Sequence, residues 1–190
     1  PGESAPRFRR MTVATRWSGP IERTPAFQPR SGLRHVLMDW DGTISLLRAG
    51  WVETMVDVCL DGLPKLDRAA VHAEMLAMNG KPSIHQMTRV AELIEAAGGT
   101  AQHPDHYQEQ YLERITRLVS GRMEDVRRGR PADELMVPGV RSMLEALQAR
   151  GLDLSLASGT PRPELLVETE LLGVAGYFDG RIHGPQDTAD

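Results

Sequence analysis

His35-Val36-Leu37-Met38-Asp39-Trp40-Asp41-Gly42-Thr43 is the stretch on which the fold turns. Four mostly apolar residues stop abruptly on two carboxylates, a glycine and a hydroxyl. An apolar run bounded by turn residues reads as a strand buried on both faces, as in a parallel sheet. Open parallel sheets bind ligands just beyond the carboxyl ends of their strands, which is where Asp39 falls. Two carboxylates this close repel each other unless a cation joins them. Gly42 permits a tight turn and a close backbone approach, and Thr43 adds a donor. A loop of this kind suits Mg²⁺, a hard cation that commonly links a carboxylate to a phosphate.

Asp39-Trp40-Asp41-Gly42-Thr43 after an apolar strand resembles the first signature of the haloacid dehalogenase (HAD) superfamily. The resemblance implies that Asp39 is the nucleophile, forming an aspartyl-phosphate, and that Asp41 is the general acid and base. It also implies Asp39 and Asp41 as Mg²⁺ ligands, the latter through its carbonyl. An acid at position 41 points to phosphoryl chemistry, because the dehalogenases of the family lack one there.

Working outward, residues 46–130 read as an all-helical block. Trp51 to Leu60 forms one helix, and Asp67 caps a second running to Met78. Ser83-Ile84-His85-Gln86 has a capping-box pattern and opens a third, ended by Gly98-Gly99. The last starts near Pro104, with Tyr107, Tyr111, Ile115 and Leu118 on one face. Pro138-Gly139 then reopens an α/β region, where Val140, Met143, Leu144 and Leu147 form an amphipathic helix. A strand follows through Leu152, Leu154 and Leu156, ending on Ala157-Ser158-Gly159-Thr160, and a helix runs from there to Leu172.

The predicted fold is α/β: a Rossmann-like parallel-sheet core of HAD type, residues 32–45 and 131–190, with an inserted all-helical cap over 46–130. Ser158 resembles the second HAD signature, so Thr43, Ser158 and Gly159 are expected on phosphate, helped by a helix N-terminus. Lys81, one of two lysines, lies at a cap turn with Gln86 and is the candidate substrate contact, a solvated cation being its plainer reading. Arg122, Arg127, Arg128 and Arg130 form a basic cluster that could attract an anion or simply face water. His72, His85, His103 and His106 lack the companions of a zinc site.

The resemblance spans about residues 33–184. It also calls for a bridging Lys or Arg and a later acidic pair. Arg181, with Asp187 or Asp190, is a weak stand-in, and the chain is read as stopping before those elements. Residues 1–31, rich in arginine and proline, read as a flexible leader or linker, leaving room for an upstream fused domain.

A net charge of −4 and a pI near 5.9 argue against a nucleic-acid partner. No apolar run spans a bilayer, and the single cysteine, Cys59, excludes an internal disulfide, so a cytoplasmic protein is expected. The expected activity is Mg²⁺-dependent hydrolysis of a small phosphorylated metabolite. A sugar phosphomutase and a truncated, non-catalytic HAD fragment stand as alternatives.

Overall fold

The computed structural model describes Ala26, Gln28 and residues 31–185. The leader read over 1–31 therefore lies almost wholly outside the described residues, as do Asp187 and Asp190. The elements are β1 (His35–Met38), α1 (Trp51–Gly62), α2 (Arg68–Ala77), α3 (Ser83–Ala96), α4 (Pro104–Arg127), α5 (Val140–Gln148), β2 (Asp153–Ala157), α6 (Arg162–Leu171) and β3 (Ile182–His183).

The three strands form one open parallel sheet in the order β1-β2-β3. Register pairs Met38 with Leu156 and Leu156 with Ile182, so β1 and β2 end side by side. Parallel strands need crossover connections, and here one is the long helical block and the other is α6. β3 was not foreseen, since two residues are too short for a periodicity to register.

β1 departs from expectation. Val36 and Met38 face the core, but Leu37 points away and is 70 % exposed. The strand is buried on one face only, because among the described residues no element covers the side of His35 and Leu37. Met143 is likewise exposed, leaving Val140 and Leu144 as the buried residues of α5.

Two apolar clusters result. One gathers Met38, Trp40, Ile44, Leu144, Leu154, Leu156, Leu165, Phe178 and Ile182 around the sheet. The other joins α1 to α4 through Met55, Val58, Cys59, Met75, Met87, Ile94, Tyr107, Tyr111 and Ile115. Helix α4 serves both: Tyr107, Tyr111 and Ile115 enter the helical cluster, whereas Val119, Met123 and Val126 pack on the sheet cluster. Pro104 opens α4 at a position where a missing N–H costs nothing, and Asp105 and Arg127 complement its dipole.

Asp67 caps α2 as expected, accepting from the Ala69 amide at 3.0 Å. The capping box at Ser83 does not form. Pro82 is the N-cap of α3, and the Ser83 hydroxyl accepts instead from Gln108 on α4 at 2.7 Å. Among the described residues no helix is long and apolar enough to cross a membrane.

Candidate active site

The loop after β1 is wound on a single carbonyl. The amides of Thr43, Ile44 and Ser45 all donate to Trp40 O, at 3.3, 2.9 and 2.9 Å, and Gly42 N returns to Ser45 O at 2.9 Å. Gly42 takes a φ of 75°, a left-handed conformation that a side chain would strain. The Trp40 ring is fully buried beneath the loop and anchors it, and of the two aspartates flanking it Asp39 is exposed and Asp41 half-buried.

Asp39 lies one residue past β1 and is exposed, with Thr43 Oγ1 donating to its Oδ2 at 3.4 Å. Ser158 lies one residue past β2. Its amide donates to His183 O at 3.0 Å, and its Oγ accepts from Thr160 N at 3.0 Å, which leaves the hydroxyl proton free to donate. Gly159 is exposed, with open space where a side chain would stand. The parallel register thus brings Asp39, Asp41, Thr43, Ser158 and Gly159 to one end of the sheet. The N-terminus of α6 is nearby, but its first amide, Arg162 N, already donates to Pro185 O at 2.9 Å.

Asp41 is gripped from two sides. Thr160 Oγ1 donates to Oδ2 at 3.1 Å, and Arg48 Nη1 approaches Oδ1 at 3.4 Å. Burial pushes the Asp41 carboxyl above its ordinary range, and Arg48 and Thr160 only partly counter this. Arg48 itself forks onto Glu168, at 2.8 Å from Nη1 and 2.7 Å from Nη2, and reaches Glu164 at 3.4 Å. Burial works against the charge on Arg48, but the Glu168 bonds and the Asp41 carboxylate outweigh it and hold the guanidinium protonated. Trp40 Nε1 completes the group by donating to Glu168 Oε2 at 2.8 Å. Tyr111 of α4 senses both Arg48 and Asp41, and burial pushes its phenol up to about 12.

Arg48, Thr160, Glu168 and the anchoring role of Trp40 were not legible as site residues. Arg48 and Glu168 lie 120 positions apart, and only the folded chain joins them.

Other candidates fall elsewhere. Lys81 is exposed in the turn between α2 and α3, and among the described residues no hydrogen bond or ion pair links it to the aspartate loop or Ser158. Gln86 is buried and donates to Met78 O at 3.1 Å, tying off the end of α2. The basic cluster is locally engaged. Arg127 and Arg128 pair with Glu124, and Arg130 with Asp125 and Glu134. Arg122 donates to the carbonyls of Leu46, Leu47 and Ala49, at 3.2, 2.7 and 2.7 Å. Arg181 sits at the opposite end of the sheet, beside Asp153 at the start of β2, and cannot bridge nucleophile and phosphate.

Among the described residues no group of three or more His, Cys, Asp or Glu side chains gathers as a cation site. What the loop offers is an exposed Asp39 carboxylate with a second, half-buried aspartate, Asp41, two residues on. That donor set suits a hard cation that keeps several waters and takes the rest of its shell from a phosphate.

No protein-family model matches this sequence, and no curated protein does. Solved structures do. A HAD family hydrolase from Deinococcus radiodurans, with bound phosphate and sodium, superposes with a TM-score of 0.52 at 17 % identity, covering 80 % of this chain and 58 % of its own. A predicted phosphoglycolate phosphatase from Haemophilus somnus gives 0.53 at 19 %, covering 83 % and 65 %. A protein provisionally called a beta-phosphoglucomutase, from Thermotoga maritima, gives 0.51 at 22 %, covering 80 % and 61 %. The chain thus spans somewhat under two thirds of the length of these structures. With its open parallel sheet, its aspartate loop after β1 and its block of helices, the chain has the fold of the haloacid dehalogenase superfamily.

Proposed function

We propose that this chain is a phosphomonoester hydrolase acting on a small phosphorylated metabolite through an aspartyl-phosphate. The observation that carries the reading is the pairing of Met38 with Leu156. It sets an exposed carboxylate beside a serine hydroxyl at adjacent strand ends, with a second, half-buried carboxyl close by.

In this reading an Asp39 oxygen attacks phosphorus, and the bond from phosphorus to the ester oxygen breaks. The leaving oxygen takes its electron pair and a proton from the Asp41 carboxyl, whose proton burial helps to retain. The Asp41 carboxylate then removes a proton from water, and the water oxygen attacks phosphorus. Asp39 is released, phosphate departs and Asp41 is protonated again. Thr43, Ser158 and the Gly159 amide hold the phosphoryl oxygens. Asp39 and the Asp41 carbonyl would hold Mg²⁺, which when bound supplies neutralisation of phosphoryl charge.

Hydrolysis of para-nitrophenyl phosphate by the 190-residue chain, with and without Mg²⁺ and beside Asp39→Asn, tests the reading. Turnover that needs both the ion and Asp39 is expected. Undiminished turnover by Asp39→Asn would remove the nucleophile.

The absence of a bridging cation and a third acid among the described residues favours one other reading, a non-catalytic module. Failure of the unsubstituted chain to turn over in that assay selects it. A mutase would return the phosphoryl group to a sugar hydroxyl, and product analysis with a hexose phosphate separates it from a hydrolase.

A further inference from the structure

Around Asp41 the chain assembles more charge than a loop needs. The Arg48 guanidinium uses Nη1 twice, toward Glu168 Oε2 at 2.8 Å and Asp41 Oδ1 at 3.4 Å, while Nη2 secures Glu168 Oε1 at 2.7 Å. Glu168 is 2 % exposed and is fixed in turn by the indole of the wholly buried Trp40. The backbone on either side of Arg48 is also pinned, since Arg122 of α4 takes the carbonyls of Leu46, Leu47 and Ala49. The side chain therefore has both ends determined, and two further carboxylates meet its tip at 3.4 Å, the largely exposed Glu164 on Nη2 and the half-buried Asp41 on Nη1. Thr160, 6 % exposed, holds the second Asp41 oxygen from the far side.

A buried ion pair is a weak way to gain stability, because apolar residues of similar volume often do as well. Its distinctive property is direction. A planar fork can grip one carboxylate with two nitrogens and still present an N–H to another, which a lysine ammonium cannot do in the same geometry.

We infer that Arg48, aimed by Glu168, is a positioning residue that fixes the Asp41 carboxyl for proton transfer to the leaving oxygen. The inference rests on the reading of Asp41 as acid and base given above, and it adds a residue that the aspartate loop alone does not reveal. Neither Arg48 nor Glu168 touches the reacting atoms; they act through Asp41.

Two esters of similar shape test it. Para-nitrophenolate leaves with little need of a proton, whereas the benzyl alkoxide of benzyl phosphate cannot leave without one. Alcohol release in the first turnover is measured with Mg²⁺ for the parent chain, Arg48→Lys and Thr160→Ala. Arg48→Lys keeps the charge and removes the fork. It is expected to slow benzyl phosphate about 10- to 100-fold more than para-nitrophenyl phosphate, a partial loss of the roughly 100- to 10,000-fold that a positioned acid contributes. KM should change little for either ester, and Thr160→Ala should show the same bias. The indole N–H resonance of Trp40 reports that the fold is kept. If Arg48→Lys does not fold, Glu168→Gln carries the comparison, since it keeps an oxygen for Arg48 and Trp40 and drops the charge. Equal losses on the two esters would make the pair structural and overturn the inference. A parent chain that releases neither alcohol defeats the hydrolase reading, and the role of Arg48 with it.

Discussion

Arg48 and Glu168 meet fork to fork, at 2.7 and 2.8 Å, with the carboxylate almost wholly out of water. Removing one partner strands the other charge, whereas replacing both need not. Glu168→Ala is expected to cost about 3–5 kcal/mol, a fall in Tm of roughly 10 °C for a chain of this size. Arg48→Met combined with Glu168→Met should recover most of that loss. Thermal melts of the single and double variants check it, and a double variant no better than Glu168→Ala would contradict it.

Asp41 predicts a trade of stability for chemistry. Burial raises its folded pKa, so folding favours the protonated carboxyl. That contribution is present below the ordinary carboxylate range and is lost as pH rises through the folded value. At pH 7, without metal, Asp41→Asn should therefore melt higher than the parent. The gap should narrow as pH falls towards 4. A variant that melts lower at pH 7 and gains nothing relative to the parent at any pH would show that the contacts with Arg48 and Thr160 dominate.

Cys59 is buried in α1, and burial pushes its thiol up to about 11. Only about one thiol in a thousand would be ionised at pH 8, and the surrounding helices exclude reagent. Native chain should resist iodoacetamide at that pH, with labelling at least about 100-fold faster in denaturant. Mass spectrometry of timed aliquots decides it; equal rates would mean that the helical cluster opens readily.

Gly184 follows β3 and presses against the backbone of the Ser158 loop. A Cβ there would stand 2.3 Å from Thr160 O and 2.9 Å from Arg162 N, so something must shift. Gly184→Ala is expected to displace the Thr160–Arg162 backbone, lower the Tm and cut turnover by up to about 100-fold, the order expected from a shift near 1 Å. Gly159→Ala, in open space, should leave the Tm near that of the parent. A Gly184→Ala chain with unaltered melting and rate would show that the loop yields freely.

The readability of this chain followed the range of its interactions. β1 and its aspartate loop, the ending of β2 at Ala157, and helices α1 to α6 were legible because periodicity, caps and turn residues act within a few positions. The exposure of Leu37 was not, since burial of a strand's second face depends on what lies over it. Ser83 misled for a related reason: its hydroxyl had a local partner in principle and took a distant one, Gln108. The Arg48–Glu168–Trp40 group lay beyond local reading altogether. Arg181 shows the converse, a cation of suitable type that the register puts at the wrong end of the sheet.

Helix α4 carries a mechanical consequence. Its 24 residues form one uninterrupted rod about 36 Å long. Its first half is seated among α1–α3, and its second half lies against the sheet cluster. Such a rod acts as a lever: a tilt of about 5° at the Val126 end sweeps the His103 end through roughly 3 Å. Arg122 stands near the fulcrum and grips the segment that holds Arg48. The helical block and the carboxyl of Asp41 are thereby joined in series by two arginines, Arg122 on the backbone around position 48 and Arg48 on the carboxylate itself.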